Sequence, residues 1–498
     1  MSAVRTVADA LARYEVVIGL EVHAQLDTES KLFSSAPVGF DPDRPNENVS
    51  AYCFALPGTL PVPNAGAVRR AIAVGVALGM DVHVESRWAR KHYTYPDLPK
   101  GYQITQAERP ICTGGALEIQ VGDAAPRLVP ITRMHLEEDA GKSTHDGDDA
   151  FTRVDLNRAG TPLVELVTAP ALRSGAEAAA FLRAYRAVLL ALGASRGTME
   201  EGSLRADVNV SLRPHGQAAL GTRVELKNLS SFRFVEQAVE HEVLRQGRLL
   251  ADGEAVVQET RLYDPDRRVT RPMRAKEEAE DYRYLPDPDL PALRFPAAWI
   301  DEARAALPEL PAARHRRWLA LGAPAEAARI IGEDERLTRL FDAALGATPE
   351  GTPGAPEAVR ALAQLVANEL ARVAAEEPAR LDAGRLAPRE LAALVELKAR
   401  DTISSSQQKK LLAALLDHGG TAAERLAADG AQVSDDATLA PLVDALVAAH
   451  PSEAAKLKAG KQQLAAYFVG QIMKQTRGKA NPERVRALLD AALARLPS

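Results

Sequence analysis

Glu165 is the single charge in Leu163-Val164-Glu165-Leu166-Val167, an otherwise apolar run. A carboxylate buried by such a run is costly unless a metal ion or a cation relieves it, which makes Glu165 the leading candidate for chemistry. A structural ion pair with an arginine would satisfy it as well. Two further segments alternate strictly. Between Val16 and Leu26, one face holds Ile18, Leu20, Val22 and Leu26, and the other Gly19, Glu21, His23 and Gln25. Between Leu204 and Leu212, Asp207, Asn209 and Ser211 share one face and Val208, Val210 and Leu212 the other, and Arg223, Glu225 and Lys227 line one face of the next run. A carboxylate and an imidazole two residues apart on a strand form a metal edge, although a solvent-facing strand shows the same pattern.

The acidic string Glu137-Glu138-Asp139 supplies the hard oxygen ligands that magnesium takes together with water and phosphate. An isolated acidic run is also what a solvated loop looks like. Gly141-Lys142-Ser143 resembles the end of a phosphate-binding loop, but the position of that motif's first glycine is occupied by Leu136. Neither G-x-G-x-x-G nor H-E-x-x-H occurs, and Ser404-Ser405-Ser406 lies between helices as a loop or N-cap. Hydride transfer and serine hydrolysis therefore have no support.

These segments need a sheet to hold them. Up to about residue 297, short strand-like runs alternate with Pro, Gly and Asp punctuation, and most aromatic and histidine residues lie there. From about Phe295 onward Ala, Leu, Glu and Arg recur at helical spacing. With 498 residues, 46% hydrophobic and 26% charged, the chain is long enough for several folded domains. We expect an α+β (mixed α/β) N-terminal domain with a largely antiparallel or mixed sheet over 1–297, a helical domain over 298–425 and a basic helical tail over 426–498. From Pro451 to Ser498, nine basic side chains face three acidic ones, a local charge of +6 within a chain of net charge −6. Such a tail suits phosphate binding, and a solvated helix face would look similar. Asn481-Pro482-Glu483 is an N-cap, a first-turn proline and a first-turn acid, starting a helix with Val485, Leu488, Leu489 and Ala492 on one face. The longest apolar stretch, around Ala71–Met80, is far shorter than the ~20 residues of a membrane span. The N-terminal residues carry Asp9 and Glu15 and no apolar signal core, and the chain has only two cysteines, Cys53 and Cys112. A cytoplasmic protein with no membrane partner is expected.

The stretches VIGLEVHAQL, ALPGTLPVPN, RKHYTYPDLPKGYQITQ, ITRMHLEEDAGKS, DLNRAGTPLVELVT, LRADVNVSLR, ELKNLSSFRFVEQAVEHE, DYRYLPDPDLP and, in the tail, YFVGQIMKQTRGKANPERV together resemble the B subunits of the aspartyl/glutamyl-tRNA amidotransferases. The resemblance runs over nearly the whole chain. It implies an α/β cradle that houses a kinase and transamidase site, then a helical domain, then a small tail that docks on tRNA. The implied chemistry phosphorylates the side-chain carboxylate of glutamate or aspartate esterified to tRNA(Gln) or tRNA(Asn), using ATP and Mg2+, after which ammonia displaces phosphate.

By the same resemblance, His23, Glu138 and Glu165 are ligands of the main magnesium, and Glu21, Glu137, Asp207 and Asn209 surround a second cation. Chemistry and motif context add Lys227, Arg205 and Lys142 as cations that offset phosphate charge, with Asn228 beside Lys227 among the expected ATP contacts. Lys474, Arg477 and Lys479 are the expected tRNA contacts. The implied partners are an amidase-type A subunit that supplies ammonia from glutamine and a small C subunit, forming a bacterial-type heterotrimer, with the misacylating aminoacyl-tRNA synthetase as a further associate. Some family members carry C-x-x-C pairs for zinc, whereas Ser50-Ala51-Tyr52-Cys53 stands here, so no zinc is expected. The same residues would also suit a tRNA-docking scaffold with a decayed site, or a metal-dependent hydrolase or nuclease, and at this point both stay open.

Overall fold

The computed structural model describes residues 4–39, 41, 43–122, 124–144, 151–273, 282–347, 355–429, 433, 435–476 and 478–496. The chain divides into two compact units, Met1–Ala313 and Arg314–Ser498. In the first unit the strands are β1 (Tyr14–Gln25), β2 (Ala89–His92), β3 (Tyr102–Thr105), β4 (Arg127–Glu138), β5 (Lys142–Thr144), β6 (Arg153–Asp155), β7 (Pro162–Thr168), β8 (Leu204–Pro214), β9 (Val224–Lys227), β10 (Thr260–Asp264), β11 (Val269–Pro272) and β12 (Leu285–Pro286), with short pieces between them. The main sheet runs in the order β11-β10-β9-β8-β1-β7-β4 and continues into two short strands beyond β4. All its pairs are antiparallel except β9 with β10. The mixed, mostly antiparallel sheet expected from the sequence is present.

Strict alternation gives this sheet one apolar and one polar face. Ile18, Leu20 and Val22 of β1, Val164 and Leu166 of β7, Val208 and Val210 of β8 and Met134 and Leu136 of β4 are all buried. They share a core with Val68 and Ile72 of α1 (Ala65–Ala77), Phe181 and Leu182 of α2 (Gly175–Ala191) and Val235 and Val239 of α3 (Phe232–Ala251). Side-chain caps start all three of these helices: Asn64 accepts from the Gly66 and Ala67 N–H groups, Ser174 from the Glu177 N–H, and Ser231 from the Phe234 N–H. Such a cap contributes about 1 kcal/mol. At Gly175 a Cβ would meet the Glu236 carbonyl oxygen at 2.7 Å, so glycine is what lets α2 start against α3.

A separate three-stranded sheet, β12-β2-β3, brings β3 against the end of β4. There the Ile104 N–H donates to Glu138 and the Gln103 side-chain amide to the Glu138 carbonyl. The expected boundary at 297 falls just ahead of α4 (Ala298–Ala305). This helix stays with the first unit because Trp299, Ile300 and Ala303 pack on its core and Arg69 stacks on the Trp299 ring at 3.9 Å.

The second unit is helical throughout its described residues, as its composition implied. One core gathers Trp318, Phe341, Leu362, Leu370, Leu391, Leu394, Leu411 and Leu415, and another gathers Leu439, Val443, Phe468, Ile472, Val485 and Leu489. Ser404 is the N-cap of α5 (Ser405–His418), in a capping box with Gln407. Asn481 caps α6 (Pro482–Arg495) by accepting from the Glu483 and Arg484 N–H groups, and Val485, Leu489 and Ala492 are buried beneath it. Among the described residues no helix is long and apolar enough to cross a membrane.

Candidate active site

The polar face of the main sheet gathers residues from five strands. In register, His23 of β1 lies opposite Glu165 of β7 and Arg205 of β8, Glu21 opposite Asp207, and Gly19 opposite Asn209. Glu165 in turn lies opposite His135 of β4, and Asn209 opposite Glu225 of β9. Directly opposed residues of antiparallel strands point to the same side, so segments far apart in the chain deliver their acids and imidazoles to one place.

Glu165 is the centre of that place. Its Oε2 lies 3.4 Å from His23 Nε2 and 3.4 Å from His135 Nε2. Glu137 approaches the same two imidazoles, at 3.5 Å from His23 and 3.7 Å from His135, and Glu21 Oε1 lies 3.8 Å from His23. Burial alone would depress both imidazoles. The carboxylates outweigh it, so His23 is held above the usual histidine range and His135 is held up at about 9. Burial would raise Glu165, but the two imidazoles bring it well below the usual carboxylate range. Glu21 goes the other way, pushed up first by burial and then by the charge of Glu165.

Two sets of potential ligand atoms, Glu21-His23-Glu165 and His135-Glu137-Glu165, each lie within 4.8 Å of one another and share Glu165. His135 Nδ1 is buried without a hydrogen-bond partner among the described residues. The donor chemistry, three carboxylates and two imidazoles around a half-open position, fits a divalent cation.

Cations ring the cluster. Arg205 donates to Asp139 at 2.7 Å, where Gln25 also donates at 3.0 Å, and Arg158 lies 3.7 Å away. Asp139 is therefore held below the usual range despite its burial. Lys227 donates to Asp207 at 2.5 Å and lies 3.3 Å from Glu225; together they overcome the effect of burial and raise it. Lys91 of β2 sits over the Tyr282 ring at 4.6 Å; burial opposes its charge, but Glu137 leads the neighbours that hold it. Tyr93 and Tyr284 flank Tyr282 edge-on, at 6.2 and 6.3 Å between ring centroids. Arg133 Nη2 is 3.8 Å from Glu165 Oε1.

Of the residues expected from sequence, the structure brings Glu21, His23, Glu137 and Glu165 together, with Asp207, Asn209, Arg205 and Lys227 beside them on the same face. Glu138 is elsewhere. It follows Glu137 on a strand, so it points the other way, where it is buried, accepts from the Ile104 N–H and pairs with Lys100, which also donates to the Tyr52 hydroxyl at 2.7 Å. Lys142 is exposed on the β5–β6 hairpin, off the main sheet. Asn228 follows β9 with φ of 64°, a left-handed conformation that asparagine tolerates, and its side chain donates to the Tyr263 carbonyl at 3.1 Å, which is a turn-forming role. Lys474 is exposed in the last turn of the helix Gln463–Gln475, and the Lys479 carbonyl accepts from the Val433 N–H. Arg477 lies outside the described residues.

His135 and Arg133 are the residues that sequence reasoning missed. The signal was present: Arg133, His135 and Glu137 alternate with the apolar Met134 and Leu136 just as Glu21 and His23 alternate with Leu20 and Val22. The acidic string itself starts only at Glu137, and Arg133 and His135 lie ahead of it. Cys53 Sγ has Lys31 Nζ at 3.3 Å and Ser50 Oγ at 3.5 Å, and an ammonium is a poor neighbour for a metal ion.

The family description GatB/GatE catalytic domain matches residues 16–301, which contain the whole cluster, and the GatB domain matches 352–493. Curated relatives are similar nearly end to end. One from Anaeromyxobacter sp. (strain Fw109-5) is 48% identical over 482 residues, 96% of this chain and 99% of its own length. One from Ralstonia nicotianae is 48% identical over 491 residues, 97% of this chain and 99% of its own. One from Nitratidesulfovibrio vulgaris (strain DP4) is 46% identical over 485 residues, 97% of this chain and all of its own. Each is named as the B subunit of an aspartyl/glutamyl-tRNA(Asn/Gln) amidotransferase. With identity this high across both matched domains, the chain belongs to the GatB family of amidotransferase B subunits.

Proposed function

We propose that the chain is the tRNA-binding, ATP-using subunit of an amidotransferase that converts glutamyl-tRNA(Gln), aspartyl-tRNA(Asn) or both to the amides. The observation that carries this reading is the cluster around Glu165, three carboxylates and two imidazoles on one sheet face within a ring of cations, in a chain of this family. In the first step an oxygen of the substrate's side-chain carboxylate forms a bond to the γ-phosphorus of ATP, and the bond from that phosphorus to the β–γ bridging oxygen breaks, leaving ADP. In the second step ammonia adds to the acyl carbon, loses a proton, and phosphate departs, leaving the amide on the tRNA.

Glu21, His23, Glu137, Glu165 and His135 are the residues that would hold Mg2+. When bound, the ion supplies positive charge that lets two anions, ATP and a carboxylate, approach each other. The chain's own side chains do the rest. Arg205 and Lys227 pair with Asp139 and Asp207, so this face carries balanced charge instead of a purely negative one. Lys91 and the Tyr93, Tyr282 and Tyr284 rings form an aromatic and cationic group beside the acids.

Misacylated tRNA is used in the cytoplasm, which is where this activity belongs. Ammonia is supplied by an amidase-type A subunit, with a small C subunit completing the assembly and the misacylating synthetase as a further associate. Lys474, Arg477 and Lys479 contact the tRNA backbone. Lys31 beside Cys53 supports a chain without structural zinc.

The test is amidation of glutamyl-tRNA(Gln) and aspartyl-tRNA(Asn) by the complex with its A and C partners, with ammonium chloride in place of glutamine. Amide formation coupled to ATP cleavage is expected. Glu165→Ala should abolish ATP cleavage and leave tRNA affinity within about twofold, because the two sites are chemically separate. A Glu165→Ala complex that still amidates would overturn the site, and tRNA binding without ATP cleavage in the unmutated complex would leave only a scaffold.

A further inference from the structure

Arg133 stands two residues before His135 on β4 and projects to the same face, in register with Val167 of β7. Its guanidinium lies 3.8 Å from Glu165, close enough for attraction but too long for a hydrogen bond, and 42% of the side chain is exposed. It makes no hydrogen bond to any described residue. The cations that ring the cluster itself have partners: Arg205 with Asp139, Lys227 with Asp207, Arg158 with the Ala140 carbonyl, and Lys91 over the Tyr282 ring. The least committed donor group therefore borders the carboxylate at the centre of the site.

A guanidinium presents five N–H donors in a planar fork that suits phosphate oxygens, stays charged at every working pH, and sheds water more readily than an ammonium. Held beside Glu165 it cannot be fully satisfied by that carboxylate, which already faces two imidazoles. It points instead to an anion that arrives with the substrates.

We infer that Arg133 is a phosphate-binding residue that donates to the oxygens of the γ-phosphoryl group of ATP. This rests on the kinase step proposed above. During that step negative charge is redistributed over the equatorial oxygens of the transferring group and onto the bridging oxygen that leaves with ADP, and fixed donors lower the barrier where charge develops. The substrate carboxylate is the poorer match, because donors on a nucleophile withdraw the electron pair that attacks. Arg133 keeps its proton throughout.

The test uses the full complex with its partner subunits at saturating Mg2+ and measures calorimetric affinity for ADP and for the β,γ-imido analogue of ATP. Arg133→Met should weaken the analogue roughly ten- to a hundredfold, the range for losing charge-assisted hydrogen bonds. Affinity for ADP should stay within about twofold, since ADP lacks the group that Arg133 holds. Arg133→Lys should recover part of the loss, and it keeps the measurement available if the Met variant folds poorly. Equal losses for both nucleotides would overturn the inference, as would unchanged nucleotide affinity with a raised KM for glutamyl-tRNA(Gln), which would put Arg133 on the substrate carboxylate. An unmutated complex that neither binds ATP nor cleaves it would bring down the kinase reading itself.

Discussion

Neighbouring residues on one strand can do opposite jobs, and Glu137 and Glu138 show how. Glu137 faces two imidazoles, whereas Glu138 faces Lys100 and a backbone N–H behind the sheet. Both are nearly fully buried, so each needs its own partner, and taking one partner away from a buried pair costs about 3–5 kcal/mol. Lys100→Met is therefore expected to destabilise the first unit by several kcal/mol, and adding Glu138→Gln should recover part of that loss, because the amide removes the stranded charge. Chemical unfolding of the single and double variants reads the coupling directly, and additive effects would show that the two side chains do not depend on each other. The pairing of Lys100 with a buried acid 38 residues further along the chain is legible in neither residue alone, which is why the acidic string reads in sequence as one set of ligands.

At the scale of elements, helix starts in the second unit follow local chemistry. Asp334 precedes the helix Glu335–Leu345 and accepts from the Arg336 and Leu337 N–H groups while pairing with the Arg336 guanidinium. Partial burial would raise its carboxyl, but these donors outweigh it and hold it below the usual aspartate range. Since the folded value lies below the unfolded one, about 3.9, its contribution is complete above about pH 4 and is lost as pH falls through the lower folded value. Asp334→Ala should cost about 1 kcal/mol at neutral pH, seen as faster amide exchange along 335–345, and the gap between variant and parent should shrink only in strong acid. A gap that already closes near neutral pH would show that the carboxylate is not what starts the helix. Caps of this kind, including Ser404 with Gln407 and Asn481 ahead of Pro482, were readable in the sequence because each donor and acceptor lies within three or four residues of the other.

For the whole molecule, charge is unevenly divided. A chain of net charge −6 ends in a stretch of local charge +6, and Lys474 stands exposed within it. On the proposed function this stretch meets tRNA phosphates, so the affinity should fall with salt as counterions are released. Lys474→Ala with Lys479→Ala should weaken tRNA binding at low salt and flatten the slope of log affinity against log salt by roughly 0.7–0.9 for each phosphate left without its lysine, while leaving ammonia-dependent amidation at saturating tRNA unchanged. An unaltered slope would mean that these lysines form a solvated face and that tRNA is held elsewhere.

The sequence by itself determined the two unlike halves, the strand faces and the helix caps, because alternation at period two, helical periodicity and capping are all interactions among near neighbours in the chain. It also carried the family, through motifs spread over nearly its full length. What only the tertiary structure decided is which acids and imidazoles meet. Pairing of β1 with β7 and β8, and of β7 with β4, sets His23, Glu165 and His135 side by side although they lie more than a hundred residues apart at the extremes. The same register turned Glu138 away and brought in Arg133, since a one-residue step on a strand reverses the face to which a side chain points.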